Sequence, residues 1–275
     1  MRALGLAGFL VALGPARVSA EGLLTEPIVG GAFQVTPLWD GIVIATNAAV
    51  LLSTKHLVSH DREDGDRAEL WSLDQKVVDW GRHDDAMRTS DVGVAMAGAF
   101  AIVDSLVSGK HEGGEVGAVK LTIYAESALT AGALTEVVKH LVQRPRPCTY
   151  QPDRRWREGL SCAPDDDDAY LSFFSGHTST TAALAASATY LAYREDPDGS
   201  RGSWTLAGGL ALTSLVASER VRAGKHFPAD VLTGAAVGAT VGVLVPHLHH
   251  VSREGGGGGA AVASDGQMIT VGGVF

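Results

Sequence analysis

The chain has 275 residues, of which 45% are hydrophobic and 19% charged, and its net charge is −9 at neutral pH. This length suits one domain with a sizeable core, and the hydrophobic content excludes a disordered chain. The negative charge argues against a general nucleic-acid binder, because affinity for a phosphate backbone needs a basic face. Any anion site in this protein must therefore be a local positive pocket.

The first twenty residues are typical of a secretory signal peptide. Arg2 supplies a positive start, residues 4–13 an apolar stretch, and residues 18–20 a small-residue cleavage site. The alternative is an uncleaved anchor helix, although the apolar run is short for a membrane span. We expect cleavage after Ala20 and export to the cell envelope, with the functional domain over residues 21–251.

Apolar periodicity predicts an all-α fold, a single bundle of about six core helices. The predicted core helices cover residues 38–58, 90–108, 117–142, 178–194, 204–219 and 229–249. A short amphipathic helix is also predicted within residues 70–80. The longest polar insertion is 143–172, and residues 252–275 form a Gly-rich tail that we expect to be flexible.

The predicted helices leave two interpretations open, a membrane bundle and a soluble one. Several are long enough to span a bilayer, but acidic residues such as Asp91 and Glu126 interrupt them. Charges inside a membrane are costly and normally face the interior of a bundle. The small residues Gly234, Gly238 and Gly242 suit close helix packing in either environment. We expect the protein to be embedded in the membrane or associated with it.

Cys148 and Cys162 are the only cysteines of the chain, and they flank a polar loop. An even number in an exported chain predicts one disulfide, with free thiols as the alternative. Closing this loop would stabilise the fold by about 3 kcal/mol. No metal site is predicted at the cysteines. His247, His249 and His250 are interpreted as residues that end the last helix, with adventitious metal binding as the alternative.

The first of three polar clusters lies where the third core helix ends. Lys139 is on its predicted last turn, and Arg146 follows in an extended segment, because Pro145 and Pro147 stop the helix. A guanidinium can form paired bonds to two phosphoryl oxygens, and lysine adds a compact charge. Taken alone, these residues also fit the ordinary preference for cations at a helix C-terminus.

The second cluster, Ser175, Gly176 and His177, opens the fourth core helix. Backbone N–H groups around Gly176 form an anion site of the kind found at helix N-termini. Ser175 also fits a simple N-cap. His177 has no capping role, since cations are disfavoured at this end, and the helix field tends to lower its pKa.

The third cluster places His226 and Asp230 four residues apart, after Arg220. A carboxylate bonded to one ring nitrogen would fix the tautomer of His226 and stabilise the imidazolium. The other nitrogen would then be available to attack phosphorus, with Arg220 holding the same group. A structural His–Asp hydrogen bond and a solvated arginine are the alternatives.

In order and spacing, the three clusters resemble the type 2 phosphatidic acid phosphatase and vanadium haloperoxidase superfamily. Its pattern is Lys-x6-Arg-Pro, then Pro-Ser-Gly-His, then Ser-Arg-x5-His-x3-Asp, and the resemblance covers roughly residues 38–250. Two positions depart: Phe174 replaces the proline, and Glu219 replaces the serine. Neither supplies the nucleophile or the acid, so we expect Glu219 to affect anion affinity or substrate preference rather than the reaction class.

The resemblance implies a metal-independent phosphatase that forms a phosphohistidine and needs no cofactor. His226 would be the nucleophile, oriented by Asp230, and His177 would protonate the leaving group and later activate water. The phosphoryl oxygens would be bound by Lys139, Arg146, Ser175, Gly176 and Arg220. We expect a phosphate monoester or pyrophosphate as substrate, with a phosphorylated lipid favoured over a small ester. The alternatives are a vanadium-dependent haloperoxidase and a non-catalytic membrane scaffold of the same fold.

Overall fold

The computed structural model describes residues 24–53, 66–78, 80, 83–150 and 167–251. Within them, six long helices and one short helix form the fold, which confirms the predicted all-α bundle. The helices are α1 (Pro37–Ser53), α2 (Ser72–Gln75), α3 (Asp84–Glu112), α4 (Gly114–Val142), α5 (Gly176–Glu195), α6 (Arg201–Arg222) and α7 (Pro228–Leu248). The predicted signal peptide and Gly-rich tail lie outside the described residues.

A small β-hairpin precedes the bundle, and the apolar pattern of the sequence did not predict it. Strands β1 (Ile28–Gly30) and β2 (Phe33–Val35) pair antiparallel. The N–H of Gln34 donates to the carbonyl of His249 at 2.9 Å, and the N–H of Val251 donates to Ala32 at 2.9 Å. The hairpin therefore fixes the segment that follows α7.

Four helix ends meet at one end of the bundle. Helix α4 stops at Gln143, which adopts a left-handed conformation with φ of 47°, and an extended segment follows. Ser175 caps the start of α5. Pro228 begins α7 immediately after the loop that leaves α6. The three predicted polar clusters are thereby brought to the same end.

Helices α5 and α7 run parallel with their backbones in contact. Three glycines of α7 make this approach possible, because a Cβ atom at any of them would lie within 2.7 Å of a carbonyl oxygen of Ser175 or of α5. The glycines, their neighbours and the distances are Gly234 and Ser175 (2.7 Å), Gly238 and Ser179 (2.0 Å), and Gly242 and Ala183 (2.2 Å). This packing confirms the close helix contact expected from the glycine spacing.

The opposite end of the bundle is joined by an ion network that is buried except at Arg201. Lys120 lies 2.8 Å from Asp104 and 3.0 Å from Glu195. Arg201 contacts the same two carboxylates at 2.6 and 2.8 Å, and the Tyr124 hydroxyl donates to Asp104 at 2.9 Å. Two cations balance two anions, so four helices are tied without a net charge. Along α4, this network is about 28 Å from Lys139.

Two of the described helices are long and apolar enough to cross a membrane: residues Asp85–Glu112 of α3 and the whole of α7. Only 28% and 33% of their apolar windows are buried, whereas the core helix of a soluble protein is mostly buried. Large apolar side chains on the outer surface of the bundle include Met96, Phe100, Val103, Leu106, Trp204, Leu210, Leu232 and Leu244.

Candidate active site

His226 lies in the loop between α6 and α7 and is 1% exposed. Its Nδ1 atom is 2.7 Å from the carbonyl oxygen of Ser172. A carbonyl can only accept, so Nδ1 carries the hydrogen and Nε2 keeps its lone pair. This is the tautomer that a nucleophilic Nε2 requires.

Three cations lie close enough to His226 to affect its pKa. Burial lowers the pKa of His226 well below its ordinary value, and the positive charges of Arg146, Arg220 and Lys139 lower it further. Both effects favour the neutral form of the imidazole. The structure therefore brings together the cations of the first and third predicted clusters, although Lys139 and Arg220 are far apart in sequence.

The two arginines are buried close to each other. The guanidinium of Arg146 contacts Asp168 at 2.5 Å, and Arg220 reaches Ser90 at 3.4 Å. Burial and the charge of Arg146 lower the pKa of Arg220 to about 10. The Nε atom of Arg220 is buried and has no hydrogen-bond partner among the described residues. A buried donor of this kind, beside other cations, is suited to an oxyanion.

Gly176 allows the start of α5 to lie against Lys139. A Cβ atom at Gly176 would be 3.8 Å from Nζ of Lys139 and 3.2 Å from the Thr135 side chain. Lys139 also contacts Glu136 at 2.9 Å. Ser175 is buried, and its hydroxyl accepts the N–H of Thr178 at 3.4 Å. The N-cap interpretation of Ser175 is thus confirmed, and phosphate binding by Ser175 and Gly176 stays a prediction.

His177 pairs with a residue that sequence reasoning had not connected to it. Its Nε2 atom is 2.8 Å from Oδ1 of Asp91, an exposed residue on α3. Burial and then the charge of Arg220 lower the pKa of His177 to about 4, while Asp91 acts in the opposite direction. In the sequence, Asp91 is only a charge that interrupts an apolar helix. It is 86 residues from His177, so no local pattern indicates that the two side chains are paired.

Asp230 does not form the predicted hydrogen bond to His226. Its Oδ2 atom is 3.8 Å from Nδ1 of His226 and accepts instead from the Ser172 hydroxyl at 2.5 Å and the Phe227 N–H at 2.9 Å. The reason is that Asp230 occupies the first turn of α7, where a carboxylate is drawn to the free N–H groups of the helix start. Ser172 links the two residues, because its carbonyl accepts from His226 and its hydroxyl donates to Asp230.

Arg144 and Asp74 complete the support behind His226. Arg144 bonds to Asp230 and, at 2.8 Å, to Asp74, and its guanidinium stacks 4.4 Å from the Phe227 ring centre. Asp74, from the short helix α2, also accepts the Ala229 N–H at 3.0 Å. Arg144 therefore pairs with two buried carboxylates at once and balances part of their charge.

The two departures from the family pattern have separate environments. Phe174 is buried. The carboxylate of Glu219 contacts Arg222 at 2.6 Å, so its charge is partly balanced by its own helix. This pairing reduces the repulsion that Glu219 would exert on an anion bound by its neighbour Arg220.

Cys148 is disulfide-bonded and follows directly after Arg146 and Pro147. Its predicted partner, Cys162, lies outside the described residues. The pairing of Cys148 with Cys162 therefore stays a prediction.

Comparisons with known proteins find a family and relatives for part of this chain. Residues 120–254 match the PAP2 superfamily. The chain is 39% identical over 79 residues to a lipid A 1-phosphatase of Porphyromonas gingivalis, covering 29% of this chain and 16% of that protein. It is 34% identical over 121 residues to a decaprenylphosphoryl-5-phosphoribose phosphatase of Mycobacterium tuberculosis, covering 43% of this chain and 55% of that protein. The matches thus span about half or less of these relatives, and no solved structure matches.

Proposed function

This chain belongs to the PAP2 superfamily through residues 120–254, and on that premise we propose that it is a phosphatase that forms a phosphohistidine intermediate. The observation that carries the proposal is His226, which is buried, neutral and unprotonated at Nε2 inside a cluster of three cations. The similar curated proteins bear the names of phosphatases, which supports phosphoester hydrolysis.

In the proposed first step, Nε2 of His226 attacks the phosphorus and the bond to the leaving oxygen breaks. His177, in its protonated form, gives its proton to that oxygen. Negative charge grows on the phosphoryl oxygens in the transition state. Lys139, Arg146 and Arg220 stabilise this charge from fixed positions, so the scheme needs no metal ion or cofactor.

In the second step, a water molecule gives a proton to His177 and attacks the phosphorus. The P–N bond breaks, inorganic phosphate leaves, and His226 returns to its neutral form. The phosphorylated ring is positive between these steps. Its Nδ1–H remains on the Ser172 carbonyl, and the carboxylate of Asp230, 3.8 Å away, stabilises the charge.

The proposed substrate is a phosphorylated membrane lipid. Apolar side chains of α3 and α7 face outward, as those of a helix in lipid do. The site and the opposite ion network are about 28 Å apart along α4, close to the roughly 30 Å of a bilayer hydrocarbon core. This spacing would hold the site at the level of lipid headgroups on one surface. Of the two alternatives, a haloperoxidase would use the same pocket to hold vanadate, and a scaffold would not use it for catalysis.

The test is phosphate release by the full chain purified in detergent, with chelator present. We expect turnover of a long-chain lipid phosphate with kcat/KM roughly tenfold or more above that of a small soluble ester, because the lipid adds buried apolar contact. Added vanadate should inhibit this reaction. Faster turnover of the soluble ester would reject the lipid substrate. Vanadate-dependent bromide oxidation would favour the haloperoxidase, and no turnover of either ester would favour the scaffold.

Asp91→Asn is expected to shift the pH profile to lower pH. His177 must be protonated to act as the acid, and the Asp91 carboxylate favours that protonated form. Its removal lowers the pKa of His177 further, so the alkaline limb of kcat/KM should move down by about one pH unit. Asp85→Asn, an exposed aspartate on the same helix, is the control and should leave the limb in place. An alkaline limb that stays in place in Asp91→Asn would show that the Asp91–His177 pair does not control the protonation of His177.

A further inference from the structure

A second group of ionisable side chains lies away from the phosphoryl site. Asp40 comes from the first turn of α1, Glu126 from the middle of α4, and His249 from the residue after α7. Nε2 of His249 is 3.3 Å from Oδ1 of Asp40 and 3.3 Å from Oε2 of Glu126. The three side chains are 14%, 13% and 4% exposed for His249, Asp40 and Glu126.

Hydrogen bonding within this group is incomplete. Nδ1 of His249 is 2.8 Å from the Val245 carbonyl, which can only accept, so Nδ1 carries the hydrogen of a neutral ring. The Nε2 lone pair then points at the carboxyl groups of Asp40 and Glu126, which in their ionised forms offer only further lone pairs. In addition, Oε1 of Glu126 is buried and has no hydrogen-bond partner within the described part of the chain. A positive centre between the three groups would satisfy all of them.

The distances distinguish a metal ion from a proton as that centre. A charge-assisted N–H···O bond is about 2.7–2.9 Å long, and one N–H serves one oxygen well. The two separations of 3.3 Å between Nε2 of His249 and the carboxylate oxygens are instead close to the spacing of ligand atoms around a tetrahedral metal ion. Metal bonds of about 2.1 Å place such neighbouring ligand atoms about 3.4 Å apart. All three ligand atoms lie within 4.8 Å of one another.

We propose that Asp40, Glu126 and His249 bind one divalent transition-metal cation of the Zn²⁺ class. An imidazole with two carboxylates suits such a cation, whereas Ca²⁺ and Mg²⁺ prefer oxygen ligands alone. The two carboxylates also balance its double charge. Supporting contacts hold the ligands in place, as is typical of metal sites: the Thr36 N–H donates to Oδ2 of Asp40, and Nδ1 of His249 donates to Val245.

The cation acts as a structural clamp rather than in the phosphatase reaction. Glu126 is about 20 Å from Lys139 along α4, too far to contact the phosphoryl group. The ligands of the cation instead join α1, α4 and the end of α7. The hairpin is linked to them as well, because the N–H of Gln34 donates to the carbonyl of His249. Loss of the metal should therefore loosen this end of the bundle and leave the turnover of folded protein unchanged.

The test is a titration of the metal-stripped full chain, in detergent, with Zn²⁺ alone against a chromophoric chelator. We expect one Zn²⁺ per chain, a higher thermal midpoint with Zn²⁺, and binding weakened roughly 100-fold in Glu126→Gln and in His249→Gln. His247→Gln is the matched control, since His247 lies on the same helix end but bonds to Tyr190. It should bind Zn²⁺ like the unmodified chain.

A second measurement does not depend on any variant. Co²⁺ added to the stripped chain should give the intense visible absorption of a tetrahedral site, and Zn²⁺ should displace it. No Co²⁺ band together with no Zn²⁺ uptake would overturn the proposal and leave an imidazolium ion pair. Uptake lost in His247→Gln but kept in Glu126→Gln would overturn it as well, in favour of adventitious binding by terminal histidines.

Discussion

His226→Ala should lower phosphate release by roughly 10³-fold or more and abolish the covalent phosphoenzyme. The substitution removes the only atom that is placed, by this proposal, to attack phosphorus, while the three cations remain. The measurement is single-turnover phosphate release with a labelled lipid phosphate, combined with acid- and alkali-stability analysis of the phosphorylated chain. A phosphohistidine is stable in alkali and labile in acid.

His177→Ala is the informative comparison, because it should fail at a different step. With an activated phosphate ester, whose leaving group needs no proton, the transfer of the phosphoryl group to His226 should still occur. The second step lacks the base that activates water, so phosphorylated chain should accumulate. Activity surviving in His226→Ala, or no phosphoenzyme in His177→Ala, would reject the assignment of these two roles.

Gly238→Ala should destabilise the protein by about 3 kcal/mol or more. The added Cβ would lie 2.0 Å from the Ser179 carbonyl oxygen, and a backbone atom cannot move aside as a flexible side chain does. Separating α5 from α7 also displaces the loop that carries His226. The thermal midpoint in detergent and the residual phosphate release should therefore fall together.

Gly208→Ala on α6 is the matched control. A Cβ atom at Gly208 meets no heavy atom within 4 Å, and alanine favours a helix by about 1 kcal/mol over glycine. This variant should be as stable as the unmodified chain or more so. Equal midpoints for the two variants would show that α5 and α7 are not held by backbone contact.

Much of the fold is predictable because it depends on local pattern. The six long helices follow from apolar periodicity, and the prolines after Lys139 and before Asp230 mark where two of them end and begin. The hairpin was missed, since two strands of three residues carry too little alternation to be recognised. The start of α3 at Asp84 was predicted six residues too late, because its first turns are charged.

The grouping of the candidate residues was predictable where spacing within one segment carries it, as for Lys139 with Arg146, which both act on His226. It was not predictable where contacts cross the fold. Asp91, Arg144 and Ser172 reach their partners over more than 50 residues, and no sequence period records such a contact. The spacing of Asp230 from His226 correctly predicted that the two side chains are close, but not that they form a hydrogen bond. The N–H groups at the start of α7 compete for the same carboxylate oxygens.

The ion network at the far end of the bundle has a consequence for the side of the membrane from which substrate can enter. Lys120 and Arg201, with their carboxylate partners, close the end that faces away from His226. If the bundle crosses a bilayer as proposed, a lipid headgroup can enter the pocket from one leaflet only. The orientation in which the chain is inserted would then decide which leaflet supplies the substrate. Lipids of the other leaflet would have to be translocated before this protein acts on them.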